Sequence, residues 1–369
     1  MEHVNKGFLD VTIRFLLGFL LFLLSLPIHA VQLEGLYSAE VSVVDQSQSA
    51  RNEAIGLALK KVVQKVSGRR SALNNKPLLA ALSNVGAYVE QFQYKKRASK
   101  EGYWLIVRFQ KAALDRTLRQ FDVPIWGANR PDVLLWLAVD DGKKRFIINE
   151  SSSAELGSIL KQEINEAGLA ITLPLLDLSD QRKISFNDVW ATFSDEVRRA
   201  STRYGVKQIM VGQLLKSRQG WRFSWTLMGA EGQKSGFEES ANKGAVLQQA
   251  FVQIAEVLAD IYAPKGALML DVPIKMEVRG LRDLKQFIHI TSYLSALDMV
   301  KKLSWTQLKN NEAVLDLMIS GEVRVLKDII ALNEVLVEDV PLNTIEPSVV
   351  MGPDVAVQAL EPTLYYRAR

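Results

Sequence analysis

No cysteine occurs among the 369 residues of the chain. The chain therefore forms no disulfide bond, and burial of apolar side chains has to supply its folding free energy. Hydrophobic residues make up 48% of the sequence and charged residues 23%, which is ordinary for a globular protein and sufficient for a core. The absence of cysteine also excludes thiol nucleophiles, thiolate metal sites and the modified cysteine of a lipoprotein.

Histidine is almost as scarce. Two of the three histidines, His3 and His29, lie within the first 30 residues. A Ser-His-Asp triad, a zinc hydrolase site or a haem site in the rest of the chain would have to be built on His289 alone. His289 stands among apolar residues of a predicted helix, which is typical of a half-buried structural histidine. We therefore expect no metal and no other cofactor.

The first 30 residues have the three parts of a secretory signal peptide. Lys6 and Arg14 give a positive start, residues 15–26 form an apolar run, and Pro27 and Ala30 precede the expected cleavage position. The run of about a dozen residues is shorter than the ~20 that a transmembrane helix needs. We expect a periplasmic protein without a transmembrane helix after cleavage. An uncleaved membrane anchor is the alternative.

Pattern and composition divide the mature chain into α+β and α/β parts. Residues 31–129 are predicted to form a basic α+β domain, and residues 130–264 an α/β domain with helices on a mixed sheet. Residues 265–337 have the predicted order βαββα, which indicates a small ferredoxin-like domain. Residues 338–369 contain four prolines and no helix or strand periodicity, and are predicted to be an extended tail.

Local signals place the main elements within these domains. An amphipathic helix is predicted over residues 49–67 and a further helical piece over residues 85–92. The apolar run at residues 133–139 is typical of a strand that is covered on both faces. Proline and glycine at residues 124–131 predict a linker. Asn187 is predicted to cap a helix that ends at Gly205.

Three segments resemble an exported gammaproteobacterial family known as domain of unknown function 2066. They are RNEAIGLALKKVVQKVSG at residues 51–68, PDVLLWL at residues 131–137 and YGVKQIMVGQ at residues 204–213. The resemblance covers most of residues 31–265 and implies no activity. The element order of residues 130–264 also resembles the domain shared by the TolB amino-terminal region, the curli secretion lipoprotein and outer-membrane activators of penicillin-binding proteins. That likeness implies protein binding in envelope assembly.

Charge is unevenly distributed. Residues 31–130 carry 16 Lys and Arg against eight Asp and Glu, whereas residues 131–369 carry 27 against 31. Several cations fall on the polar face of the helix at residues 49–67 or directly after it, and we predict that they form one patch for an anionic partner. The patch comprises Lys60, Lys61, Lys65, Arg69 and Arg70. We expect no nucleic-acid partner, because aromatic residues are not interleaved with these charges.

Two further motifs are candidate sites. Asp140 and Asp141 follow the strand at residues 133–139, where α/β proteins often bind ligands, and paired carboxylates suit a hard cation. The following Gly142 makes a simple turn the better interpretation. Trp221 and Trp225 lie on one face of a predicted strand, where they are more typical of core packing than of a sugar platform.

These features favour a non-enzymatic interaction protein of the bacterial cell envelope. Its expected partner is an envelope protein, an anionic envelope polymer or a lipid surface. One alternative is a cell-wall glycan hydrolase that uses carboxylates alone, which would need an Asp/Glu pair facing a cleft. The other is a binding module for a lipid or small ligand, which would need an apolar pocket.

The signal-peptide interpretation makes a direct prediction. Cleavage between Ala30 and Val31 should release a protein of residues 31–369, because the apolar run is short and Pro27 ends it. Intact-mass measurement of the periplasmic fraction would detect that product. Recovery of the full-length chain from membranes alone would contradict the prediction.

Overall fold

The fold is taken from a computed structural model, which describes residues 35–97, 101–149, 154–263, 271–309, 311–339 and 362–369. Within these ranges the chain forms three β-sheets and ten α-helices, a mixed α+β architecture. The predicted signal peptide lies outside the described residues. None of the helices in the described ranges is long and apolar enough to cross a membrane.

The first sheet is antiparallel and three-stranded. Its part of the chain contains β1 (Ser38–Val43), α1 (Gln48–Ser67), α2 (Lys76–Ala81), β2 (Val89–Lys96), β3 (Tyr103–Phe109) and α3 (Lys111–Gln120). The strand order is β1-β3-β2, and α1 packs its apolar face on the sheet. α1 begins after Ser47, whose hydroxyl accepts a hydrogen bond from the Ala50 N–H, and ends at Gly68 in the left-handed conformation. The helix predicted over residues 49–67 is thus present.

The helical piece predicted at residues 85–92 is wrong. Val85–Tyr88 forms a single 3₁₀ turn, and the edge strand β2 begins at Val89. Phe92 and Tyr94 pair with Val107 and Leu105 of β3. This pairing is made with residues more than ten positions away, so local propensity does not reveal it.

The second sheet is mixed, and β4 is one of its inner strands. Its part of the chain contains β4 (Asp132–Asp140), β5 (Arg145–Ile147), α4 (Ala154–Ala167), β6 (Ala170–Thr172), α5 (Leu178–Gln181), α6 (Phe186–Trp190), α7 (Ser194–Ser201), β7 (Gln208–Ser217), β8 (Gly220–Gly229), β9 (Gly232–Ser240) and α8 (Lys243–Tyr262). The order is β5-β4-β7-β8-β9, and β6 also pairs with β4. Leu135 of β4 faces the core formed with α4 and α8, whereas Trp136 faces the core formed with α6 and α7. The strand is covered on both faces, as its apolar run predicts.

The long helix predicted from Asn187 to Gly205 is wrong. The chain forms the short helices α6 and α7, because Thr192 between them adopts a positive φ of 56° that interrupts a helix. The cap is Ser185 rather than Asn187. Ser185 exchanges hydrogen bonds with Asp188 in a capping box.

The third sheet has five strands. Its part of the chain contains β10 (Asp271–Arg279), α9 (Leu284–Ser295), β11 (Val300–Lys309), β12 (Glu312–Ser320), α10 (Val323–Leu332), β13 (Leu336–Glu338) and β14 (Thr363–Ala368). The order is β11-β12-β10-β14-β13, with α9 and α10 on one face. The element order begins βαββα, but the sheet has one strand more than the four of a ferredoxin-like domain.

The prediction of an extended tail is wrong for residues 363–368. β14 runs parallel to β10 and antiparallel to β13, so the end of the chain lies inside the sheet. Leu364, Tyr366 and Ala368 alternate as buried residues, which is the period of a half-buried strand. The alternation is short and directly follows a proline-rich stretch, so it does not by itself predict a strand.

Residues 124–131 are a packed junction rather than the predicted linker. Arg130 is buried, and its guanidinium lies 3.9 Å from the centre of the Trp126 ring. It donates hydrogen bonds to the carbonyl groups of Lys65 (2.7 Å), Trp126 (2.8 Å), Gly127 (3.1 Å) and Gly168. We call this arrangement the Arg130 clasp. It joins the end of α1 to the turn after α4.

The Arg130 clasp predicts a large loss of stability for Arg130→Met. The substitution removes the donor from four carbonyl groups, and each buried carbonyl left without a partner costs about 1–3 kcal/mol. We expect the free energy of unfolding to fall by about 3 kcal/mol or more in urea denaturation. Arg218→Met is the control, because Arg218 is exposed without an ion pair in the described part of the chain, and such surface changes stay within about 0.5 kcal/mol. Equal stabilities of the two variants would contradict the clasp.

Candidate functional site

The predicted cationic patch on α1 is not a free surface. Lys60 is exposed, but Lys61 pairs with Glu166 of α4 at 2.8 Å. Lys65 is 4% exposed, and its ammonium donates a hydrogen bond to the Ser38 carbonyl at 3.0 Å. Burial lowers the pKa of Lys65 to about 8.

The two arginines after α1 also have partners within the chain. Arg69 pairs with Asp260 at 2.6 Å, and Arg70 forms a two-pronged ion pair with Glu256, with a closest distance of 2.7 Å. Both carboxylates belong to α8. Of the five residues predicted to form one anion-binding patch, three are therefore ion-paired within the chain, and Lys65 is buried. Binding of an anionic partner there stays a prediction. The paired cations contact acidic residues of α4 and α8 and stay partly exposed to water.

Glu163 of α4 lies beside this ion-pair junction. It is half-buried, and its Oε2 atom is buried without a hydrogen-bond partner. Burial, together with the charge of Glu166, raises the pKa of Glu163 to about 7. Deprotonation of Glu163 near neutral pH therefore places an unpaired charge beside the junction.

An open cleft lies between the first and third parts of the chain. It has a volume of about 670 Å³. One wall is α3, and the other is the end of α9 with the loop that leads into β11. We call it the α3–α9 cleft. Its lining residues are Lys111, Ala112, Asp115, Arg116, Arg119, Ser295, Ala296, Leu297, Asp298 and Val300.

Lys111 joins the two walls of the α3–α9 cleft. Its ammonium donates hydrogen bonds to Asp115 and Asp298, both at 2.8 Å, and to the Tyr37 hydroxyl at 3.1 Å. These contacts use all three of its donors. Burial acts to lower the pKa of Lys111, but the hydrogen bonds to Asp115 and Asp298 outweigh it and the pKa is raised. Lys111 therefore stays charged and is shared by both carboxylates.

Asp298 also packs against the Arg130 clasp. A Cβ atom added to Gly127 would lie 1.5 Å from the Asp298 Oδ2 atom, so only glycine fits at this position. Asp298, which lines the α3–α9 cleft, is therefore in contact with the Arg130 clasp that joins α1 to α4.

Arg116 and Arg119 supply the unpaired charge of the cleft. Both are exposed on α3, and neither forms an ion pair in the part of the chain that the structure describes. They are three residues apart, so they lie on one face of the helix. The binding residues predicted from the sequence lie on or directly after α1 and do not include Arg116 and Arg119. The signal for them was a run of three cations, Lys111, Arg116 and Arg119, within nine residues.

The other candidates have structural roles. Asp140 pairs with Arg145 at 2.8 Å, and Asp141 accepts backbone hydrogen bonds from Lys143 and Lys144, so both carboxylates stabilise the β4–β5 turn. Hydrogen bonds, from Arg145 to Asp140 and from Lys144 to Asp141, hold the pKa of each carboxyl below its ordinary value.

The aromatic and histidine candidates differ in burial. Trp225 is buried and its indole N–H donates to Gln253 at 3.2 Å, whereas Trp221 is half-buried. His289 is exposed on α9, so its prediction as a half-buried residue is wrong. Across the described ranges, no group of three or more His, Cys, Asp or Glu could hold a metal ion.

The matches to known proteins each cover only part of the chain. A family model described as a domain of unknown function, DUF8605, matches residues 30–127. It is a different family from domain of unknown function 2066, so that resemblance is not confirmed. No curated protein matches. A crystal structure of TolB from Acinetobacter baumannii matches at 14% identity and a TM-score of 0.19, over 34% of this chain and 26% of that one. The chain thus spans about a quarter of the length of that structure.

The position of Glu163 makes a prediction about pH. Its folded pKa of about 7 exceeds the ordinary 4.5, so its stabilising contribution is complete below about pH 4.5 and is lost as the pH rises through 7. Glu163→Gln should therefore raise the free energy of unfolding at pH 8, by about 1 kcal/mol because water screens a half-exposed group. At pH 5 the gain should be small.

The exposed Glu155 of the same helix provides the control for this pH series. Glu155→Gln makes the same charge change outside the junction and should bring no gain at pH 8. Thermal unfolding of the wild type and both variants at pH 5 and pH 8 makes the comparison. A Glu163→Gln effect that is the same at both pH values would exclude the titration of Glu163.

Proposed function

We propose that this chain is an exported, non-enzymatic interaction protein of the bacterial cell envelope that binds an acidic segment of a partner protein in the α3–α9 cleft. The observation that carries the proposal is the pair of exposed arginines, Arg116 and Arg119, which face an open cleft without an anionic partner among the described residues. Arginine side chains bind carboxylates through charge-assisted hydrogen bonds.

The shape and lining of the cleft favour a peptide over a lipid surface or a wall polymer. The cleft is concave, and its lining combines Arg116 and Arg119 with small or apolar residues, among them Ala112, Ala296 and Val300. An acidic peptide offers carboxylates to the two arginines and short side chains to the apolar residues. A planar array of anionic lipid head groups offers mainly charge.

The state of the two cleft carboxylates supports a non-catalytic role. A carboxylate-dependent glycan hydrolase needs one protonated acid and one free carboxylate on either side of the bond that it cleaves. Asp115 and Asp298 both pair with the same ammonium of Lys111. Neither is free for that chemistry. A lipid-binding module needs an apolar pocket, whereas this cleft is charged.

The proposal also includes the division of the chain into domains. Separate apolar cores for the three sheets support a division into three domains. A TolB amino-terminal-like middle part, and a ferredoxin-like end with a fifth strand added, stay part of the proposal. Export to the periplasm rests on the pattern of residues 1–30.

Binding of a fluorescent octaglutamate peptide to residues 31–369 tests the proposed function. The double variant Arg116→Gln and Arg119→Gln should weaken binding about tenfold or more, because each charge-assisted hydrogen bond contributes about 1.5–3 kcal/mol. The control is Arg182→Gln with Arg198→Gln, which removes the same charge from two exposed arginines of the second sheet's helical face. Binding should also fall with salt, since exposed charges are screened beyond about 8 Å at physiological ionic strength.

Parallel measurements with phosphatidylglycerol vesicles and purified cell wall identify the partner class. Binding of the protein to the peptide but not to vesicles or cell wall supports the proposal, provided that the cleft variant loses this binding and the control variant keeps it. Equal losses of peptide binding in both double variants would show that net charge alone drives binding, which would contradict the cleft as the site. Binding to vesicles or cell wall but not to the peptide would overturn the protein-partner assignment.

A further inference from the structure

A second surface lies at the opposite end of α9, along the edge strand β11. Four large apolar side chains are exposed there, although each is of a type that is usually buried. They are Leu284 (63% exposed), Ile288 (54%), Trp305 (58%) and Leu308 (43%).

These side chains form one shelf rather than scattered contacts. Trp305 packs edge-on against Phe287 of α9, with the ring centres 6.3 Å apart. Leu284 and Ile288 flank Phe287 one turn apart on the helix. Trp305 lies opposite Leu315 of β12 in the sheet, and both project toward the face that α9 covers. We call this surface the α9–β11 shelf.

The free edge of β11 borders the shelf. β11 pairs with β12 on one side, and within the described ranges no strand pairs with its other side. Its outward N–H and C=O groups can therefore take another strand. Two register shifts in the β11–β12 pairing, at Val300–Lys302 and Trp305–Gln307, twist the edge and limit indiscriminate pairing.

The charge around the shelf is positive. Lys285 of α9 and Lys302 and Lys309 of β11 are exposed, and none has an ion-pair partner in the described part of the chain. The neighbouring Lys301 does pair, with Asp271. A second copy of this chain would bring these lysines together, and like charges across an interface are unfavourable. An acidic strand would compensate them.

We propose that the α9–β11 shelf binds an extended segment of a partner protein, with alternating apolar and acidic residues, by adding it as a strand to the edge of β11. The apolar side chains of the segment lie on Trp305 and Ile288, and its carboxylates lie near Lys302 and Lys309. Strand addition between an edge strand and a helix is a recurring mode of peptide recognition. The surface is separate from the α3–α9 cleft, so this inference goes beyond the proposed function.

The probe is a fluorescent nine-residue peptide of alternating valine and glutamate, added to residues 31–369. Two further peptides carry N-methyl groups on alternate amides, one set for each edge of the added strand. Because only one edge pairs with β11, methylation of that edge should weaken binding about tenfold or more, and methylation of the other should have little effect. Equal binding of both methylated peptides would overturn strand addition.

Variants locate the binding. Trp305→Ala should weaken binding of the unmodified peptide about tenfold, whereas Leu178→Ala, at an apolar side chain 70% exposed on α5, should leave it unchanged. The cleft variant Arg116→Gln with Arg119→Gln should also bind normally, so failure of one proposal does not imply failure of the other. Unchanged binding by Trp305→Ala would refute the shelf. A dimer in sedimentation equilibrium that Trp305→Ala dissolves would assign it to a second copy.

Discussion

Arg130 buries a guanidinium group, and the packing around it depends on supplying its donors with hydrogen-bond partners. A guanidinium taken out of water is unfavourable unless its donors find partners. Here four backbone carbonyls and the face of Trp126 supply them. Those carbonyls come from the end of α1, the 124–131 junction and the turn after α4. Satisfying one side chain therefore fixes the first sheet against the second.

The same junction explains the uneven charge of the sequence. Three cations on or directly after α1 pair with acids of α4 and α8, so part of the basic excess of residues 31–130 is neutralised within the chain. Arg116 and Arg119 on α3, in contrast, are exposed at an open cleft and have no ion-pair partner in the described part of the chain. The combination of free charge with a cleft, rather than total charge, marks the surface that we propose binds a partner. Asp298 connects that surface to the clasp because it packs on Gly127.

Elements with strong local periodicity could be predicted from the sequence, and elements that depend on distant partners could not. The helix at residues 49–67 and the strand at residues 133–139 carry their own pattern and are present. β2 and β14 are strands because β3 and β10 lie beside them. The clustering of cations on and directly after α1 is visible in the sequence, but the burial of Lys65 is not. The carboxylate partners of Lys61, Arg69 and Arg70 are 105 to 191 residues away, and no spacing in the sequence indicates them.

Native-state hydrogen exchange tests the central role of the Arg130 clasp most directly. The Trp126 N–H donates to the Val66 carbonyl at 2.8 Å within the junction. If the clasp joins the two sheets into one cooperative unit, this amide should exchange only with global unfolding. Its opening free energy should then equal that of the β4 amides within about 1 kcal/mol. Exchange of Trp126 at a much lower opening free energy, while α1 and β4 stay protected, would show that residues 124–131 are the hinge of two independent units.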